Sequence, residues 1–263
     1  MARFAAGLVI AAVITALARR ASALSTGGAI AAMIVGTMAI AAGWDWALLL
    51  LAFFISSSAL SRLGSQVKEA RTRGMLDKQG PRDSRQVAAN GALFTLAALL
   101  FLIDPWPGWG AAGAGALATA TADTWGTEVG VLSRSQPRSI TTFQPVQVGQ
   151  SGGVSPLGLV ATLAGAALIS ALAWLVGWGV SIASAALAGG VAGAVSDSLL
   201  GALWQGRRRC PHCDALTERR VHHCGARTLH RSGAAWLDND GVNALAGALG
   251  VAVTLSFWTL AAW

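Results

Sequence analysis

The chain has 263 residues, 54% of them hydrophobic and only 12% charged, with a mean hydropathy of +0.56. A water-facing domain carries about 25% charged residues, so this composition excludes a soluble globular protein. A formal charge of +7 does not make nucleic acid an expected partner, because the position of the charges accounts for them.

Eight apolar stretches approach the roughly 20 residues a membrane span needs. They are predicted as helices near 3–19, 25–43, 46–63, 86–103, 110–131, 156–177, 179–204 and 241–262. The first resembles a signal peptide, with Arg3, an apolar run from Phe4 to Leu17, and Ala21-Ser22-Ala23. Arg19 and Arg20 directly before that small-residue site favour a retained helix. The expected fold is therefore all-α: a single transmembrane domain over 1–263, a bundle of about eight helices with both termini outside. Glycine, at 32 residues, suits helices whose backbones approach closely in lipid.

With the N-terminus outside, the segments 19–24, 62–86, 132–155 and 205–240 face the cytoplasm. Only Arg3 of the 19 basic residues then falls on the other side, a bias far beyond what the positive-inside rule requires. Trp44, Trp46, Trp106, Trp109, Trp174, Trp178, Trp258 and Trp263 are expected to form the outer aromatic belt. The expected location is the cell membrane, in contact with the bilayer, with the polar site on the cytoplasmic side.

Taken in order, the first cytoplasmic loop carries Lys68, Lys78 and Arg82 and leads into a helix where Gln86 and Asn90 stack at i, i+4 beneath Arg82. In the fifth stretch, Asp123 and Thr127 share one helical face and Thr124 and Glu128 the neighbouring one. The second loop ends Gly149-Gln150-Ser151-Gly152-Gly153-Val154-Ser155 immediately before a helix. Glycine-rich backbone at a helix N-terminus offers free N–H groups to phosphate, so Ser151, Gly152, Gly153 and Ser155 are expected to hold one. No Walker A sequence occurs. Asp197 lies between Gly193 and Gly201 on a narrow face, and Asp240 and Asn243 share a face continuing through Gly247 and Gly250.

An ionised side chain costs about 2.5–3.5 kcal/mol at mid-bilayer by insertion scales. Three helices each delivering an acid at one depth therefore point to a divalent cation, with Asp123, Asp197 and Asp240 as Mg²⁺ ligands. Magnesium prefers oxygen ligands and commonly joins carboxylates to substrate phosphates. In the 205–240 insert, Cys210-Pro211-His212-Cys213 followed by His222-His223-Cys224 fits a structural, tetrahedral zinc site. The expected ligands are Cys210, Cys213 and Cys224 with one histidine, assigned here to His223 with His222 as the alternative.

Ala122-Asp123-Thr124-Trp125-Gly126-Thr127-Glu128-Val129-Gly130, Ile140–Phe143 with Gly149–Ser155, Asp197-Ser198-Leu199-Leu200-Gly201 and Asp238-Asn239-Asp240-Gly241-Val242-Asn243 resemble the motifs of one integral membrane family. That family, long a domain of unknown function, includes plant phytyl-phosphate kinase and prokaryotic homologues. The resemblance runs from about residue 20 to the C-terminus. It implies transfer of a terminal phosphoryl group from a nucleoside triphosphate, CTP or another, to an isoprenyl monophosphate such as phytyl, geranylgeranyl or farnesyl phosphate. Under it, Asp123, Asp197 and Asp240 hold Mg²⁺, and Glu128 and Asn243 complete or support that set. Lys68, Lys78 and Arg82 neutralise the triphosphate. Such chemistry needs positioning and charge neutralisation more than covalent catalysis. An ion- or proton-coupled transporter is the alternative, since intramembrane acids also carry ions.

Overall fold

The hydropathy segments become helices in the computed structural model, which describes residues 2–76 and 80–261. In chain order these are α1 (Ala2–Arg20), α2 (Thr26–Ala42), α3 (Trp44–Arg62), a short α4 (Ser65–Arg71), α5 (Ser84–Ile103), α6 (Pro107–Gly130), α7 (Pro156–Leu175), α8 (Val180–Leu203) and α9 (Asn239–Ala261). The starts follow local chemistry. The Ser25 hydroxyl accepts from Gly28 N at 3.0 Å, Asp83 and Gln86 form a reciprocal capping box, and Pro107 and Pro156 occupy first turns, where a missing N–H costs nothing.

Six helices among the described residues are long and apolar enough to cross a membrane: α1, α3, α5, α7, α8 and α9. Helices α2 and α6 fall outside that set for different reasons. Helix α2 has only 17 residues. Helix α6 is rich in Gly, Ala and Thr and is buried without a break from Gly110 to Ala122. Its neighbours α5, α7, α8 and α9 surround it, so it is shielded from lipid and does not need large apolar side chains.

Small residues let these helices meet backbone to backbone. A Cβ on Gly189 would stand 2.5 Å from Gly250 O, and one on Gly190 would reach the Ala118 backbone at 3.0 Å. Gly193 faces Thr119, and Thr119 Oγ1 donates to Gly189 O at 3.4 Å. The glycine face predicted on α9 thus closes the α6–α8–α9 contact through Gly250.

Between helices, two small sheets form that the sequence reading did not anticipate. Strands β1 (Arg138–Ser139) and β2 (Gly153–Val154) pair antiparallel. In the 205–240 insert, β3 (Arg207–Arg209) lies between β4 (Leu216–Thr217) and β5 (Leu229–Ser232), antiparallel to both.

The aromatic belt needs one correction. Trp46 is fully buried and packs against Phe94, Phe101 and Trp178, while Trp178 Nε1 donates to Asp45 Oδ2 at 2.6 Å. Trp46 and Trp178 therefore plug the bundle end opposite the polar loops. Trp44, Trp106 and Trp174 are exposed, as interface anchors are. Trp263 lies outside the described residues.

Candidate functional site

The ends of α3, α6 and α8, the starts of α5 and α9, helix α4 and the turn between α1 and α2 converge around one polar cavity of about 900 Å³. Its wall carries Lys68, Arg82, Gln86, Asn90, Asp123, Glu128, Asp197, Asp240 and Asn243, so nine of the residues singled out from sequence share one space.

At its floor, the carboxyls of Asp123 on α6 and Asp197 on α8 are within hydrogen-bonding reach of each other. Asn243 on α9, with its amide nitrogen turned toward the pair, donates to Asp197 Oδ1 at 2.9 Å and to Asn239 O at 3.2 Å. Two carboxyls in contact share a proton or bracket a cation. Either way the donor set is all oxygen, which suits Mg²⁺. Asp240, one turn before Asn243, is buried, and Arg85 Nε lies 3.7 Å from its Oδ2. Asp238 accepts from Gly241 N at 3.1 Å, stabilising the start of α9, and pairs with Arg85 at 2.8 Å.

Glu128 has a different environment. Lys68 Nζ lies 2.6 Å from its Oε2, and Ser61 Oγ donates to its Oε1 at 2.6 Å. Lys68 also donates to Leu60 O at 2.6 Å. The expected metal ligand and the expected phosphate binder are thus each other's partners, tying α6 to α3 and α4 at the cavity rim.

Arg82 is placed by its backbone. Its N–H donates to Ala23 O and its carbonyl accepts from Ser25 N, both at 3.0 Å. Gly28 is required beneath it, since a Cβ there would lie 2.0 Å from Arg82 O. Among the described residues the guanidinium makes no ion pair within 4 Å. Burial draws its pKa below the ordinary value, and Glu128 opposes that shift. Gln86 Oε1 is engaged by Asp83 N at 3.1 Å, and Asn90 Nδ2 donates to Gln86 O at 3.2 Å.

Four predicted residues are not brought to the cavity. Gly152 packs against α8, where an added Cβ would meet the Ala202 backbone at 2.7 Å. Gly153 N donates to Gln150 O within its turn. Ser151 Oγ donates to Glu218, and Ser155 caps α7 through Gly158 N at 3.2 Å. The glycines expected to cradle phosphate instead let the loop lie against Gly201 of α8, whose added Cβ would sit 3.2 Å from Gly152 N. Lys78 lies outside the described residues. The wall also includes Ser61, Arg85, Arg208, Glu218 and Arg220, which sequence reading passed over. Only Arg85 carried a signal there, one helical turn beyond Arg82.

A second hollow of about 330 Å³ lies between α1, α2, α3 and α5 and is almost wholly apolar, with Ile10, Ile14, Val35, Ile40, Leu51 and Phe54 among its walls. Arg82, Gln86, Asn90 and Thr124 border both this groove and the polar cavity. The two spaces meet at those four side chains.

Outside the cavity, Cys210, Cys213, His222 and Cys224 gather their ligand atoms within 4.8 Å of one another. The histidine is therefore His222 and not His223, a correction with a simple cause. The two rings lie against each other with centroids 4.0 Å apart, and His222 is the buried one, its Nδ1 3.3 Å from Cys224 Sγ. His223 is exposed and faces Gly74. Burial lowers the His222 pKa, with His223 and Arg219 acting in the same direction.

Residues 9–251 match the family described as Integral membrane protein DUF92. An uncharacterized membrane protein of Methanocaldococcus jannaschii is 33% identical over 205 residues, covering 77% of this chain and 84% of that protein. Protein PGR of Arabidopsis thaliana is 31% identical over 266 aligned positions, covering 90% and 89%. An uncharacterized membrane protein of Synechocystis is 39% identical over 159 residues, covering 58% and 59%. No solved structure matches. The chain belongs to the integral membrane family DUF92.

Proposed function

We propose that this protein is a membrane phosphotransferase that moves the terminal phosphoryl group of a nucleoside triphosphate, CTP or another, onto an isoprenyl monophosphate. The observation that carries the reading is the meeting of an acid-floored polar cavity with an apolar groove at Arg82. One site then has room for a soluble nucleotide and a lipid whose tail never leaves an apolar surface. Both hollows fall within the roughly 300–1,000 Å³ usual for ligand sites.

In this reading the prenyl chain lies in the groove and its phosphate emerges at Arg82, whose guanidinium pairs with it. Gln86 and Asn90 orient the same headgroup from one face of α5. Asp123 and Asp197, with Asp240 on the same wall, would hold Mg²⁺, which supplies charge neutralisation to the phosphates being exchanged. Asn243 keeps Asp197 oriented. The acceptor phosphate is ionised at neutral pH, so its oxygen attacks the γ-phosphorus without a strong general base. A new P–O–P link forms, the β–γ bridge breaks, and a nucleoside diphosphate leaves. Lys68 and Glu128 hold the rim together and do not take part in the chemistry.

The reading places the protein in the cell membrane with this site at the cytoplasmic face, supported by the basic residues gathered at the same end. The plug of Trp46, Phe94, Phe101 and Trp178 at the opposite end favours a transferase over a conduit.

The test is purified protein in detergent with Mg²⁺, a panel of γ-labelled nucleoside triphosphates, and phytyl or geranylgeranyl monophosphate. Label in a lipid diphosphate is expected. No label with any donor and either acceptor, from protein that keeps its helical signal, would refute the assignment.

A further inference from the structure

We infer that Cys210, Cys213, His222 and Cys224 bind one structural zinc ion, and that this ion fixes the segment 207–232 as a wall of the polar cavity.

Two knuckles build the site. In the first, β3 and β4 are joined by Cys210–Ala215, closed by Cys210 N donating to Ala215 O at 2.9 Å, with Asp214 at φ 54° making the turn. In the second, His222 N donates to Ala226 O and Gly225 N to His222 O, both at 2.9 Å, with Gly225 at φ 84°. That left-handed position admits glycine without strain.

The spacing is that of a coordination sphere. Tetrahedral zinc with Zn–S near 2.3 Å and Zn–N near 2.05 Å requires S···S of about 3.8 Å and S···N of about 3.6 Å. Cys210 Sγ and Cys224 Sγ are 3.5 Å apart, and His222 Nδ1 is 3.3 Å from Cys224 Sγ. A disulfide would need about 2.05 Å, and all three cysteines are free. Three thiols and one imidazole at this separation make a soft, four-ligand set, which selects zinc over magnesium and leaves no open position for catalysis.

The segment has little core of its own, since β5 is exposed along its length. A small unit of this kind depends on its metal to stay folded. It is nevertheless joined to the loops beside the cavity: Glu218 N donates to Met75 O at 2.9 Å, Thr217 Oγ1 reaches the same carbonyl at 3.3 Å, and Ser151 Oγ donates to Glu218. Arg208, Glu218 and Arg220 complete the cavity wall from this side. Zinc loss therefore loosens that wall and leaves the helix bundle intact.

The experiment measures metal by mass spectrometry in the full-length protein purified in detergent, then follows Co²⁺ substitution by absorption. About one zinc per chain is expected, with Co²⁺ showing the visible bands and thiolate charge transfer of a tetrahedral sulfur-rich site. Cys213→Ser and His222→Ala should lose the metal while His223→Ala retains it. Metal-depleted protein should gain proteolytic cleavage within 207–232 at unchanged helical content. Helical protein with neither bound zinc nor a Co²⁺ spectrum would overturn the inference. So would metal loss in His223→Ala with retention in His222→Ala. None of these readouts requires the protein to be a kinase.

Discussion

Replacing Arg82 with glutamine removes the cation at the junction of groove and cavity and leaves the local backbone in place. The contacts from Ala23 O and Ser25 N to residue 82 are main-chain bonds, so the variant keeps the loop that positions it. A hydrogen bond to a charged group contributes about 1.5–3 kcal/mol, and each 1.36 kcal/mol is tenfold in an equilibrium. The KM for lipid monophosphate should therefore rise roughly 10- to 160-fold, with the KM for the nucleotide changed by less than about threefold. Arg82→Lys, which keeps the charge but loses the fork geometry, should fall between. The assay is steady-state transfer with each substrate varied in turn. If Arg82→Gln weakens the nucleotide and leaves the lipid untouched, the headgroup does not sit at the junction and the substrate arrangement is wrong.

Two further outcomes follow from the same geometry. Glu128→Gln strips Lys68 of its carboxylate partner in a largely buried pair; breaking a fully buried pair costs about 3–5 kcal/mol, and partial exposure here reduces that to about 1–3. Thermal unfolding should register that loss, and Lys68→Met combined with Glu128→Gln should recover part of it; a loss of turnover with no loss of stability would instead make Glu128 catalytic. Ala47 lines the apolar groove toward the end away from Arg82, so Ala47→Phe should shorten it. Each methylene left outside forfeits about 0.8 kcal/mol, so a twenty-carbon acceptor should lose at least about tenfold in kcat/KM relative to a ten-carbon one, and equal losses would argue against the groove holding the tail.

The helices were legible because a bilayer demands long apolar runs, and the acids were legible because charge is costly in such runs. Asp123, Asp197 and Asp240 could be placed at one depth simply by counting residues from the polar loops. Hydropathy could not distinguish lipid-facing from protein-facing surface, so Trp46 read as an interface anchor and α6 as an ordinary span. The Gly149–Ser155 stretch was ambiguous for a similar reason. Glycine allows a backbone to approach phosphate or another helix equally well, and here it approaches α8. The choice between His222 and His223 turned on the knuckle's hydrogen bonds, and the groove on how four helices splay. Neither leaves a local trace.

The most direct test of the central claim is a single-turnover measurement of γ-label transfer to geranylgeranyl monophosphate by the wild-type protein and by Asp197→Asn. That substitution keeps the side chain's shape while removing its charge from the pair with Asp123. The account predicts labelled lipid diphosphate from the wild type and a rate at least about a hundredfold lower from the variant, as for loss of a group that stabilises transition-state charge. Equal rates would contradict the assignment of the acidic floor as the reaction centre.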